Sequence, residues 1–257
     1  MKILLTNDDG IDAIGIRSLV DVLKDDYEVY VVAPDQQRSA ASHSVSYFWR
    51  DHIARKVEIP GVKGAWAIEH GKPADCAFYG VRAFVPDCDL VISGINHGEN
   101  MSTDCIYSGT VAAAVEGFIA GKPSMATSLC SFTGVEYMHD AAEMVKKVIP
   151  WFMQQDDRFS YVLNVNVPYL PKEEIKGFKA TQFGGDRIYP MHVDQEPIGE
   201  NEIRLHSHNV IEMDIIHSDE FDGDYTTVQA GYVSLSPLGT DMVLHDYIFK
   251  MKGLENL

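Results

Sequence analysis

The sequence is short of positive charge, of paired cysteines and of long apolar runs, and each shortage argues against a class of function. With 21 Lys and Arg against 38 Asp and Glu, the formal net charge is −17. That balance argues against binding to nucleic-acid duplexes or anionic membranes, which need a cationic footprint. The four cysteines, Cys76, Cys88, Cys105 and Cys130, form no C-x-x-C pair. Neither a zinc knuckle nor a dithiol redox motif is indicated, and reduced structural thiols are expected. The longest apolar stretch, VAAAVEGFIA, is interrupted by Glu116, and the opening MKILLTNDDG lacks the apolar core of a signal peptide. No membrane segment and a cytoplasmic location are expected.

What is there suits a compact globular protein. The 257 residues, 46% hydrophobic, suffice for one large α/β domain or a domain with an extension. The acidity has a corollary: a phosphate-bearing substrate would need a local source of positive charge, and a bound metal ion can supply it at short range.

Apolar patterning predicts alternating strands and helices. Lys2–Thr6 (KILLT) is an apolar run without alternation, as in a strand buried on both faces. Ile16, Leu19, Val20 and Leu23 then recur at helical spacing, and Val29–Ala33 (VYVVA) reads as a second strand, stopped by Pro34. Leu90–Ser93 (LVIS) leads into a Gly- and Asn-rich loop and a small-residue helix from about Thr110 to Gly121. A strand over Ser124–Ser128, a helix over Tyr137–Gln155 and a strand over Tyr161–Val167 follow. The repetition predicts an open, mainly parallel sheet with helices on both faces. After Pro168 turn residues increase and apolar runs shorten, dividing the chain into a core, 1–168, and an extension, 169–257. The extension carries a strand over Ala230–Leu235 and a terminal helix over Thr240–Lys252.

Candidate chemistry gathers where strands end, because open α/β sheets bind ligands at the carboxyl edge. Asn7, Asp8, Asp9 and Gly10 follow the first strand. Two adjacent carboxylates suit a hard cation such as Mg²⁺ or Mn²⁺, and Gly10 permits the bend that lets both approach it. A solvated turn is the plain alternative. After the second strand, Ser39 could add a neutral oxygen and Arg38 could offset charge; after LVIS, Asn96 could give a carbonyl oxygen. Ser108, Gly109 and Thr110 open a helix whose N–H groups favour an anion, against the alternative of an ordinary helix cap. His43 and His97 are candidates for proton transfer. Lys72 and Pro73 read as a loop capping a helix.

Taken together, LLTNDDG, APDQQRSA, GKPADC, SGINHGEN, YSGTVAAAVEG, NVNVP and GYVSLSPL resemble the SurE family of survival-protein nucleotidases, in order and across nearly the whole chain. The resemblance implies a Rossmann-like three-layer α/β/α fold with a C-terminal β/α extension. It implies metal-dependent hydrolysis of nucleoside monophosphates, 5'-phosphates usually and 3'-phosphates sometimes, with shortening of polyphosphate by some members. The family's metal ligands fall on Asp8, Asp9, Ser39 and Asn96, for one Mg²⁺ or Mn²⁺ per subunit, and its phosphate-binding loop on Ser108, Gly109 and Thr110. Asp8, Asp9 and Asn96 are thereby the expected catalytic residues, with Asn96 also reaching the phosphate. Homodimers or homotetramers with exchanged C-terminal segments are the implied assembly. The match loosens over the acidic segment 200–227, where no residue is carried over.

Two rivals share the acid pair. A haloacid-dehalogenase-like phosphatase needs aspartates two positions apart, whereas Asn7 lies two before Asp9 and Gly10 two after Asp8. A signalling receiver needs a third aspartate after its middle strand, where this chain has Ser93 to Asn96, and it needs far fewer than 257 residues.

Overall fold

A computed structural model describes residues 1–184, 191–209, 222–243 and 245–251. The first strand, β1 (Lys2–Thr6), shows why the KILLT run has no polar alternation: its side chains are buried on both sides. Ile3 and Leu5 join the core beneath α1 (Ile14–Leu23), while Leu4 points to the opposite face. Parallel strands covered by helices on both faces bury every position, so their sequences read as continuous apolar runs.

The chain continues through β2 (Glu28–Pro34), β3 (Ala54–Lys56), β4 (Gly64–Ile68), α2 (Pro73–Tyr79) with a π-helical turn over Gly80–Phe84, β5 (Leu90–His97) and α3 (Asp104–Tyr107). Then come α4 (Gly109–Ile119), β6 (Ser124–Cys130), α5 (Met138–Gln154), β7 (Val162–Pro168) and β8 (Phe178–Ala180). The hairpin of β9 (Met191–Gly199) and β10 (Glu202–Asn209), α6 (Asp224–Gln229), β11 (Val233–Leu238) and α7 (His245–Met251) complete the order.

The main sheet has nine strands in the order β3-β4-β2-β1-β5-β6-β7-β11-β8. From β4 across to β7 neighbouring strands run parallel. β11 pairs antiparallel with β7, and β8 follows it in parallel, so the chain beyond Pro168 adds two strands to this sheet. One face carries α1 and α5, whose Leu19, Leu23, Val145, Ile149 and Phe152 pack with Ile3, Val31 and Val165. The other carries α2 and α4, with Ile68, Cys76 and Val91 in one cluster and Val111, Ala114 and Ala126 in another. The α/β fold and its three layers are as the patterning predicts.

Several details differ from the sequence expectations, and β3, β8, β9, β10 and α6 were not anticipated. The LVIS strand does not stop at Ser93; β5 runs to His97 with an irregularity in its pairing between Ser93 and Asn96, so Asn96 stands on a strand end rather than in a loop. β4 went unpredicted, because GAWAI has few branched residues to signal a strand. The late strand lies at Val233–Leu238, and the terminal helix is described over His245–Met251. Lys252 and residues 210–221 of the acidic segment lie outside the described residues.

None of the four cysteines is in a disulfide, and Cys76, Cys88 and Cys105 are buried, where loss of solvation raises their thiol pKa values. Among the described residues no helix is long and apolar enough to cross a membrane.

Candidate active site

In the strand order, connections leaving β1 lead one way to β2 and β4, and those from β5 lead the other way to β6 and β7. The crevice between the carboxyl ends of β1 and β5 is the place where such sheets bind ligands. Asp8 and Asp9 lie there. The turn is built locally: the Asn7 side chain donates to Gly10 O at 2.8 Å and accepts from Gly10 N at 3.1 Å. Gly10 has φ +100°, a conformation that a side chain would strain. The loop after β2 is stitched to this turn by Arg38 N–H, which donates to Asp8 O at 2.6 Å.

The two carboxylates have different surroundings. Asp8 is 4% exposed, and its Oδ1 accepts from the Thr110 hydroxyl on α4. Burial raises its pKa from 3.8 to about 6, opposed by the Thr110 hydrogen bond and reinforced by the charge of Asp9. Helix α4 can come so close because residue 109 is glycine: a Cβ there would stand 2.9 Å from Asp8 Cβ and 3.0 Å from its Oδ2. Asp9 is less deeply buried; its Oδ2 accepts from His97 N–H at 3.2 Å and its Oδ1 from Gln37 Nε2 at 3.2 Å. Burial raises its pKa as well, countered by those two hydrogen bonds.

Ser39 is linked to the pair through Gln37, and Asn96 immediately precedes His97, whose N–H reaches Asp9. Gln37 Nε2 also donates to Ser39 Oγ at 2.9 Å, so one amide bridges Asp9 and Ser39. Asn96 commits its Nδ2 to Gly98 O at 2.8 Å, which leaves Oδ1 as the end that can meet a cation. Arg38 pairs with Asp35 instead, and among the described residues no Lys or Arg pairs with Asp8 or Asp9. Two partly desolvated carboxylates beside a hydroxyl and an amide oxygen fit a hard divalent cation, which would relieve the burial penalty on both acids. The described residues contain no cluster of three or more His, Cys, Asp or Glu side chains suited to a metal. Only a mixed oxygen set with neutral ligands is available here.

The Ser108–Gly109–Thr110 triplet is at the start of α4, as expected, but both hydroxyls have partners. Ser108 Oγ accepts from Val111 N–H at 3.0 Å, and Thr110 holds Asp8. What the helix start offers an anion is therefore its main chain and dipole. His43 is held by Glu116: its Nε2 lies 3.1 Å from Oε2 of this buried acid on α4.

Three polar hubs that frame the site were not found from sequence. Asp75, fully buried in the first turn of α2, accepts from Ser46 N–H at 2.7 Å, Tyr47 N–H at 3.2 Å, Lys72 N–H at 2.9 Å and the Ser46 hydroxyl. It thereby anchors the loop that follows Ser39. Beside it His52, whose pKa burial lowers, lies 3.0 Å from both Ser46 Oγ and Tyr79 Oη. Asn100, just past β5, donates to Asn166 Oδ1 at 2.9 Å and to Ser128 Oγ at 2.8 Å; its carbonyl accepts from Asn164 and Asn166 at 2.8 and 2.9 Å. This is the work of NVNVP. Asp224, buried at the start of α6, accepts from Ser102 N–H at 2.7 Å and Oγ at 2.9 Å and from Gly184 N–H at 2.9 Å.

Two cavities deserve comparison. The larger, 520 Å³, is lined by Asp21, Val22 and Tyr27 at the end of α1 and by residues of α5. That end of α1 precedes β2, so this cavity belongs to the opposite edge of the sheet from the aspartates. A smaller one, 390 Å³, is lined by Met101, Cys130, Phe132 and Pro168 and so sits at the carboxyl edge.

Comparison with known proteins shows the family of the chain. The sequence profile of the family described as Survival protein SurE matches residues 3–189. The chain belongs to the SurE family. All three strand-end loops and the α4 start fall within the matched SurE segment. A "5'-nucleotidase SurE" of Syntrophomonas wolfei is 39% identical over 243 residues, covering 94% of this chain and 90% of that one. A "5'/3'-nucleotidase SurE" of Cronobacter sakazakii is 40% identical over 250 residues, covering 95% and 92%. The crystal structure of the SurE protein from Aquifex aeolicus superposes with a TM-score of 0.85 at 33% identity, covering 99% of this chain and 100% of that one. SurE membership also disposes of both rivals that share the acid pair.

Proposed function

We propose that the protein is a divalent-metal-dependent phosphomonoesterase that hydrolyses nucleoside 5'-monophosphates, and 3'-monophosphates as well, to nucleoside and phosphate. The observation that supports this reading is that Thr110 at the start of α4 holds Asp8, Gln37 bridges Asp9 to Ser39, and the N–H of His97, the residue after Asn96, reaches Asp9. The printed names of the relatives supply the substrate class.

Asp8, Asp9, Ser39 and Asn96 would hold one Mg²⁺ or Mn²⁺. Such an ion polarises a phosphoryl oxygen and acidifies water. The chain's own groups do the rest. Thr110 fixes the Asp8 carboxylate through Oδ1 and leaves Oδ2 toward the site. The α4 main chain around Gly109 receives the phosphoryl oxygens and stabilises their charge as water attacks phosphorus in line. Asp9, the less buried acid, orients that water. The leaving alcohol takes its proton from solvent or from His43, which Glu116 holds in place.

Shortening of polyphosphate would use the same phosphate seat. The assembly proposed is a homodimer or homotetramer built through the segment after Pro168; exposed Val193, Ile198, Ile203 and Leu205 on the β9–β10 hairpin support it. The proposed location is the cytoplasm.

The test is phosphate release from a nucleotide panel in EDTA, Mg²⁺ or Mn²⁺, comparing the wild type with Asp8→Asn and Asn96→Ala. Turnover that is restored by metal and abolished by Asp8→Asn is expected. Full activity in EDTA, or in Asp8→Asn, would sink the reading.

A further inference from the structure

The 390 Å³ cavity at the ends of β6 and β7 borders the site, yet the phosphoryl chemistry has no use for it. Its walls include Phe132, Tyr169, Tyr225, Met101, Leu170 and Gln229. The volume lies within the ~300–1,000 Å³ typical of small-ligand sites, which are mostly apolar with a few placed polar groups. Phe132 connects it to the proposed catalytic edge. A Cβ at Gly98 would stand 2.9 Å from the Phe132 ring and 3.5 Å from the Asn96 amide, so the ring lies over Gly98 next to Asn96. Phe132 is nevertheless 63% exposed.

Sheet order sets the spacing. Along the carboxyl edge come Asp8 after β1, Asn96 on β5, Cys130 on β6 and Pro168 on β7. Adjacent strands are about 4.8 Å apart, so the mouth at Cys130 is two strands, about 10 Å, from Asp8. That is the reach from a phosphorus atom across a sugar. The charge of the lining agrees: among the described residues it contains Glu99 and no Lys, Arg or His. Such a cavity repels phosphate and accepts a neutral, flat group with hydroxyl or amide edges.

We propose that this cavity is the nucleoside seat, with the base stacked on Phe132 and its polar edge read from the Gln229 side. The Gln229 amide is already oriented, since Nε2 donates to Tyr225 Oη at 2.7 Å. The inference rests on the nucleotidase reading above and specifies where the part of the substrate beyond the phosphate goes.

Steady-state kinetics on the full-length protein with Mn²⁺ test it, using four nucleoside 5'-monophosphates and ribose 5-phosphate. Base stacking on an aromatic ring is worth roughly a factor of ten or more, so Phe132→Ala should lower the kcat/KM ratio of nucleotide over ribose 5-phosphate about tenfold, chiefly through KM. Phe132→Trp should retain the ratio, and Gln229→Ala should alter the ranking among bases. A ratio unchanged in Phe132→Ala overturns the proposal. So does a loss shared equally by ribose 5-phosphate, which would mean that the ring acts only through Asn96. Calorimetric titration with adenosine supplies a readout independent of catalysis. Adenosine binding weakened in Phe132→Ala, in a protein that releases no phosphate from any ester, would sink the phosphatase reading and keep the cavity assignment. Phosphatase activity with no adenosine binding and no base preference would do the reverse.

Discussion

Replacing Asp8 by Asn should make the protein more stable in EDTA and less able to function. Burial raises the Asp8 pKa from 3.8 to about 6. A difference of about 2 in pKa corresponds to about 3 kcal/mol, because each unit is worth 1.36 kcal/mol. The sign follows from linkage. An acid with a raised folded pKa is held more tightly as the neutral form, so the native state loses stability as pH rises through 3.8 to about 6 and carries the full penalty above. Asn is neutral and nearly isosteric, its Oδ1 still accepts from the Thr110 hydroxyl, and it removes repulsion with Asp9. Urea unfolding at fixed protein concentration should show Asp8→Asn more stable by up to about 3 kcal/mol near neutral pH, the gap closing below about pH 4. Saturating Mn²⁺ should reverse the order, since wild type gains about 2.7 kcal/mol at a hundredfold excess over Kd and the variant little. A variant equally or less stable than wild type at neutral pH in EDTA would refute the reasoning.

Gly109→Ala should be destabilising although it adds helix propensity, because the new methyl would stand 2.9 Å from Asp8 Cβ and 3.0 Å from Pro73 Cγ. A cost of about 1–3 kcal/mol from overpacking is expected, with Mn²⁺ affinity reduced in calorimetric titration. Asp75→Ala removes an acceptor shared by Ser46, Tyr47 and Lys72, leaving N–H groups unsatisfied at about 1–3 kcal/mol each. Chymotrypsin should then cut faster at exposed Phe48 and Trp49, and an unchanged cleavage rate would show that Asp75 does not hold the loop.

The strands that could be read from sequence are those buried on both faces. β1 and β2 advertise themselves as apolar runs, and the acids after β1 were conspicuous because of that position. β4 stayed hidden because Gly64, Ala65 and Ala67 are small, and the end of β5 because Gly94 and Asn96 look like loop. The hubs were illegible for a different reason. In a sequence, a fully buried Asp75 or Asn100 looks like any solvated loop residue; only its partners give it meaning, and Asn166 lies 66 positions from Asn100. The same holds for His43, whose spacing from Ser39 suggested the aspartates but whose partner is Glu116, 73 positions away. Thr110 was legible as a helix-start residue facing an anion; that its hydroxyl grips Asp8 was not.

The contact between Ser102 and Asp224 spans 122 positions of chain. Ser102 holds a backbone angle of φ +51°, sparsely populated by non-glycine residues, and Asp224 secures both its N–H and its hydroxyl. Contacts that close such long loops form late, after the local ones have paid their entropy. During synthesis the first strands and the aspartate turn can therefore assemble while the stretch between Asn96 and α4 waits for α6 to leave the ribosome. A chain stopped before Asp224 would keep its acids and lack this clamp on the segment that connects them to the α4 start.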